Sequence, residues 1–166
     1  VLFAVVIYVI VYSGGNAIFS NVSLHAKDLL GDKTDTVGVQ TFLRFGFKAV
    51  TGVVLGWLLA TASPRATLIA TTSILLFGMG WALNSEGQWF LLTFGLLGSG
   101  ELFGAYFPNY VTTASDKKFV RVNMAYLSVL STLTGFSSLA FGLISDRYGR
   151  IASFYVSAAM LVLALL

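Results

Sequence analysis

Residues 88 to 112 read QWFLLTFGLLGSGELFGAYFPNYVT, a run of apolar and small residues broken by one charge, Glu101, near its middle. A helix needs about 20 mainly apolar residues to cross the roughly 30 Å hydrocarbon core of a bilayer, and this stretch has the length and the composition. A carboxylate halfway along such a segment is costly to insert, so its presence asks for a functional reason.

The same pattern recurs along the 166-residue chain. Six spans are expected, at about 1 to 24, 37 to 61, 66 to 83, 88 to 112, 123 to 144 and 150 to 166. Charges gather between them, in Ala26 to Thr36, Ser63-Pro64-Arg65, Asn84 to Gly87, Ser115 to Arg121 and Ser145 to Arg150. With 57% hydrophobic and 10% charged residues, the chain lacks the charge to clothe a water-soluble surface. A mean hydropathy of +0.84 agrees. The expected fold class is therefore an all-α, polytopic membrane protein. Val1 in place of a methionine and the apolar run up to Leu166 read as cuts at both ends, and nothing before Val1 marks the first span as a signal peptide. Lys and Arg fall evenly on alternate connections, with Lys27, Lys33, Arg147 and Arg150 against Arg65, Lys117, Lys118 and Arg121, so the positive-inside rule leaves the orientation undecided.

Several function classes fall away. There is no cysteine and only one histidine, His25, in the charged stretch after the first span, which argues against a metal centre or a cofactor. The net charge of +3 is scattered and forms no basic stripe for nucleic acid. No histidine cluster, paired intramembrane aspartates or nucleophile motif points to an enzyme.

An internal repeat organises the spans. Gly15-Asn16 in the first matches Gly100-Glu101 in the fourth, and Gly56 before the Ser63-Pro64-Arg65 turn matches Gly142 before the turn at Asp146 to Arg150. The offsets are about 85 residues, which divides the chain into units of about 1–83 and 88–166. Three helices per unit is an odd number, so the second unit is inverted relative to the first, as in secondary transporters.

The string Gly142-Leu-Ile-Ser-Asp146-Arg147-Tyr-Gly149-Arg150 resembles the loop signature of the major facilitator superfamily, a glycine followed by Asp-Arg and Gly-Arg between two membrane helices. In that reading the glycine lets helices approach, and Asp146 with Arg147 and Arg150 forms a charge relay that is made and broken as helices rock. An amphipathic turn with snorkelling arginines is the plainer alternative. The corresponding stretch from Gly56 to Arg65 is degenerate, with Ala60 where the signature has aspartate. The fourth span through Pro108 and the connection from Asp116 to Arg121 also resemble the family. The resemblance covers the chain as one six-helix half of a twelve-helix transporter, with the C-terminal half favoured. It implies a multi-pass protein of the cell membrane and a second half as partner.

Three charges lie within spans: Glu101, and Arg44 and Lys48 one helical turn apart in the outer half of the second. Glu101 is a candidate for binding a proton or contacting substrate; a structural bridge to Arg44 or Lys48 is the alternative. Arg44 and Lys48 are candidates for holding an anionic solute, or for snorkelling to headgroups. Tyr12, Asn16, Gln40, Tyr106 and Asn109 add neutral polar candidates, for which interhelical hydrogen bonding is the ordinary role. Pro108 is expected to kink the fourth span near Glu101. Gly46, Gly52 and Gly56 offer a small-residue packing face on the second. The first, second, fourth and fifth spans, which carry these groups, are expected inside, with the third and sixth facing lipid. Together these features lead to the expectation of secondary active transport of a small solute by alternating access, with proton coupling and an anionic substrate as its candidates. A membrane sensor or assembly protein on the same fold is the alternative.

Overall fold

A computed structural model describes residues 2–31 and 34–166; Lys33 of the charge comparison lies outside the described residues. The described residues are helical and contain no strand. The helices are α1 (Leu2–Asn16), α2 (Phe19–Leu30), α3 (Thr34–Thr61), α4 (Pro64–Asn84), α5 (Leu92–Gly100), α6 (Phe103–Ala114), α7 (Val120–Thr134), α8 (Ser137–Tyr148) and α9 (Arg150–Leu165), with a 3₁₀ turn at Gly87–Leu91 leading into α5.

Among the described residues, five helical stretches are long and apolar enough to cross a membrane: Ala4–Leu30, Thr36–Thr61, Pro64–Asn84, Gly87–Ala114 and Val120–Tyr148. The expected sixth, α9, is apolar but has 16 residues. At 1.5 Å per residue its 16 residues rise about 24 Å, and it reaches Leu165 of the 166 residues.

Local chemistry explains the turns. The Ser63 hydroxyl accepts the Ala66 amide at 3.1 Å, and Pro64 occupies the first turn of α4, where its missing N–H costs nothing. α8 and α9 are separated by Gly149 alone, at φ +87°, a conformation that disfavours any residue with a Cβ. The first span runs on to Leu30, beyond the expected end at 24, because the amphipathic α2 tolerates charges along its exposed face, and the fifth extends to Tyr148. His25 consequently sits in α2 and not in a connection, with its ring 5.1 Å from Phe90 and 5.4 Å from Phe154, edge-on to both.

Three spans are interrupted near mid-length, at 17–18, 101–102 and 135–136. At the second, Leu102, Gly104 and Ala105 donate to carbonyls three residues back, those of Ser99, Glu101 and Leu102. Gly135, Phe136, Ser138 and Leu139 repeat the pattern at the third. Such 3₁₀ tightening within a long helix is a recurrent mark of a hinge. The break therefore falls at Glu101, while Pro108 sits within α6.

Glycines set the closest approaches. A Cβ on Gly98 would stand 2.5 Å from the Arg44 carbonyl oxygen, and one on Gly95 2.7 Å from the Phe47 ring, so α5 lies almost directly on α3. Leu75 of α4, 2% exposed, fills the space left by Gly15 and Gly100. The expected packing face on α3 is looser: Gly46 has nothing within 4 Å, and Gly52 and Gly56 meet side chains at 3.8 Å. The expected inside and outside helices also differ. α4 touches α3, α5, α6 and α9 and is well buried, whereas α3 and α7–α8 are the most exposed spans.

Candidate functional site

Four helix faces converge on one cavity of about 630 Å³. On α1, Tyr8, Tyr12 and Asn16 are spaced one turn apart, so all three look the same way. α3 contributes Arg44 and Lys48, α6 Gly104, Ala105 and Pro108, and α7 Met124, Leu127, Ser128 and Ser131. Glu101 enters from the break between α5 and α6.

The charges meet there. Arg44 forms an ion pair with Glu101 through Nη2 and Oε1, and its Nε donates to Oε2 at 3.3 Å. Lys48 Nζ reaches the same Oε2 at 3.1 Å. The Glu101 side chain is 9% exposed, while Arg44 and Lys48 retain 37% and 33%. Arg44 also stacks over the Phe19 ring at 4.1 Å, so its guanidinium is held on two sides. Arg44 and Lys48 lie in the first half of the span Thr36–Thr61, with both side chains paired to Glu101.

Two cations against one carboxylate leave a local surplus of one positive charge. In a cleft with apolar walls such a surplus draws anions. The Tyr12 hydroxyl and the Asn16 amide carry no hydrogen bond among the described residues and face the same space.

The surrounding bonds fix the geometry. Thr51 and Ser99 hydroxyls share a bond at 2.8 Å, and the Tyr106 hydroxyl donates to the Gly52 carbonyl at 3.0 Å. These tie α3 to the fourth span on the far side of Glu101. Of the remaining polar candidates, Gln40 lies on α3 outside the cavity lining, and Asn109 is exposed, its carbonyl accepting the Thr112 and Thr113 hydroxyls.

At the end of the bundle that carries Gly149, Arg150 pairs with the Asp28 carboxylate and donates to the Leu24 carbonyl, joining α9 to α2. Asp146 is exposed and makes no ion pair among the described residues, and Arg147 stacks on Tyr148 at 5.6 Å. A Cβ on Gly142 would meet nothing within 4 Å. Beneath this cluster Asn21, 5% exposed, donates to the Phe141 carbonyl and to Ser153 Oγ, each at 3.1 Å, linking α2, α8 and α9. Sequence reasoning passed over Asn21, although an amide inside an apolar span was the signal that singled out Asn16. Tyr8, Ser128 and Ser131 were also missed, since common residue types at helical spacing read as ordinary packing.

No group of three or more metal-binding side chains occurs among the described residues. No family model matches the chain, and no curated protein or solved structure gives a match.

Proposed function

We propose that the chain is one six-helix wall of a secondary transporter of the major facilitator type, in the cell membrane, moving a small anionic solute by alternating access. The observation that carries this reading is the cavity in which Arg44 and Lys48 outnumber Glu101, lined by three interrupted spans. Discontinuous helices with polar groups at half depth are how transporters build a solute site inside a bilayer.

The helix pairings support the two-unit architecture. Numbering the six helical stretches in chain order, the substantial contacts are first with fourth, fifth and sixth; second with third and fourth; third with fourth and sixth; and fourth and sixth each with fifth. Exchanging first with fourth, second with fifth and third with sixth carries every pair onto another of the set except fourth with fifth, whose counterpart, first with second, is not in it. Helix boundaries repeat in step: Asn16 to Gly100 and Phe19 to Phe103 are both 84 residues apart, and Thr34 to Val120 and Pro64 to Arg150 both 86. A second half, facing the exposed sides of α3 and α7–α8, closes the cavity in this reading.

Glu101 is the proton carrier. Protonating it releases both cations to the anion, and deprotonating it reclaims them, so proton and anion travel together. The test is anion-driven acidification of proteoliposomes holding the full-length protein and a pH-sensitive dye. Uptake with acidification, abolished in Glu101→Gln at equal expression, is the expected result. Transport and pH dependence unchanged in Glu101→Gln would refute the coupling role, and no uptake of any anion would favour a sensor or assembly protein.

A further inference from the structure

The cavity has a second chemical character beside its charges, and it narrows the solute. The Tyr12 ring forms part of the cavity wall beside the ion cluster and rests against Gly104, where an added Cβ would come within 3.2 Å of the ring edge. Tyr8 backs it at a centroid distance of 5.2 Å. Tyr8 is in turn held by Phe107 at 4.6 Å and by Phe103, stacked at 6.0 Å. This wall is therefore a packed aromatic block, ordered before any solute arrives. The charged side is ordered as well, but unequally. Arg44 is occupied by two contacts to Glu101 and by the Phe19 ring, whereas Lys48 holds a single ion pair, at 3.1 Å. Lys48 is the cation free to be shared.

We propose that the site selects an organic anion with a flat, unsaturated body, such as an aromatic carboxylate. Its anionic group takes Lys48, and its ring lies against Tyr12. The inference rests on the anion reading above and adds the substrate class. A small inorganic or aliphatic anion would use Lys48 but leave the aromatic wall unfilled. An organic cation would face two like charges. A cavity of about 630 Å³ lies in the usual range of roughly 300–1,000 Å³ for small-molecule sites and leaves room for a ring as well as a carboxylate.

The test is equilibrium dialysis of the full-length protein in lipid nanodiscs with radiolabelled benzoate, acetate and benzylamine. Benzoate is expected to bind at least about tenfold more tightly than acetate, with no binding of benzylamine. Lys48→Ala should weaken both anions about tenfold. Tyr12→Ser should weaken benzoate alone by about fivefold, the size of an aromatic contact, and Tyr12→Phe should restore it. Thermal unfolding of each variant in the same discs checks that it is folded. Equal binding of benzoate and acetate, both sensitive to Lys48→Ala, would overturn the aromatic inference and leave the anion reading standing. So would a folded Tyr12→Ser protein that binds benzoate normally. Preference for benzylamine, or no binding of any probe, would overturn both.

Discussion

Replacing Gly98 with alanine tests the packing that holds the ion cluster in place. The new Cβ would stand 2.5 Å from the Arg44 carbonyl oxygen, 2.8 Å from its Cγ and 3.0 Å from its Cα, against the 3.4 Å at which ordinary van der Waals contact begins. Two of these three atoms are backbone, so no rotamer change relieves the clash, and α3 and α5 must part by roughly an ångström. Adding a methyl to a well-packed contact costs about 1–3 kcal/mol. In lipid, where helix association rests on close packing, little else offsets that loss. At about 2–4 °C per kcal/mol for a chain of this size, a loss of about 2 kcal/mol lowers the melting temperature by about 4–8 °C. The control is Gly46→Ala on α3, whose Cβ meets nothing within 4 Å. There the better helix propensity of alanine predicts no loss, or a gain of about 0.5–1 kcal/mol. Trp57, Trp81 and Trp89 make intrinsic fluorescence during heating in detergent a suitable readout. Melting temperatures for Gly98→Ala and Gly46→Ala within a degree of each other would refute the claim that α5 glycines set the α3–α5 distance.

Asn21→Leu removes the two Asn21 side-chain bonds to α8 and α9 and should cost about 1 kcal/mol, since interhelical hydrogen bonds in membranes average under that and the Phe141 carbonyl loses its Asn21 partner. Faster amide exchange in α8 and the start of α9, with α3 and α5 unaffected, is the expected signature. The Arg150–Asp28 pair is much more open, with Asp28 59% exposed, and a double-mutant cycle on it should return less than about 1 kcal/mol, falling as salt is raised. A coupling above 2 kcal/mol would show that this pair does more than tether an end. Leu75→Ala should be the most damaging of these changes, at about 2–5 kcal/mol, because the leucine is buried against Gly15 and Gly100 and its removal leaves a void that glycines cannot fill. A melting-temperature loss smaller than that of Asn21→Leu would contradict its central position.

Much of this molecule was legible before any tertiary contact was known. Runs of about 20 apolar residues leave the backbone no partners but its own, so helices and their approximate spans follow from the sequence, as does the turn at Ser63-Pro64. A charge within such a run is expensive, which is why Glu101, Arg44 and Lys48 stood out and why the cavity is found around them. The 85-residue spacing was likewise visible as repeated glycine and polar positions. Helix ends were less certain, because charged residues such as Lys27 and Asp28 continue an amphipathic helix as readily as they end it. Hence the sequence suggests a connection at His25, whereas the residue lies in α2 with its ring edge-on to Phe90 and Phe154. Tertiary structure alone decided which glycines make close contacts, since Gly46 and Gly98 are the same residue in similar helices and differ only in what lies opposite. It also decided the partners: Arg150 with Asp28 in place of a relay through Asp146, and Tyr8 and Tyr12 beside the charges. Cost is written into a segment, because burying a charge is expensive wherever the segment goes. Partnership is settled only when distant helices pack, and that depends on all their side chains at once.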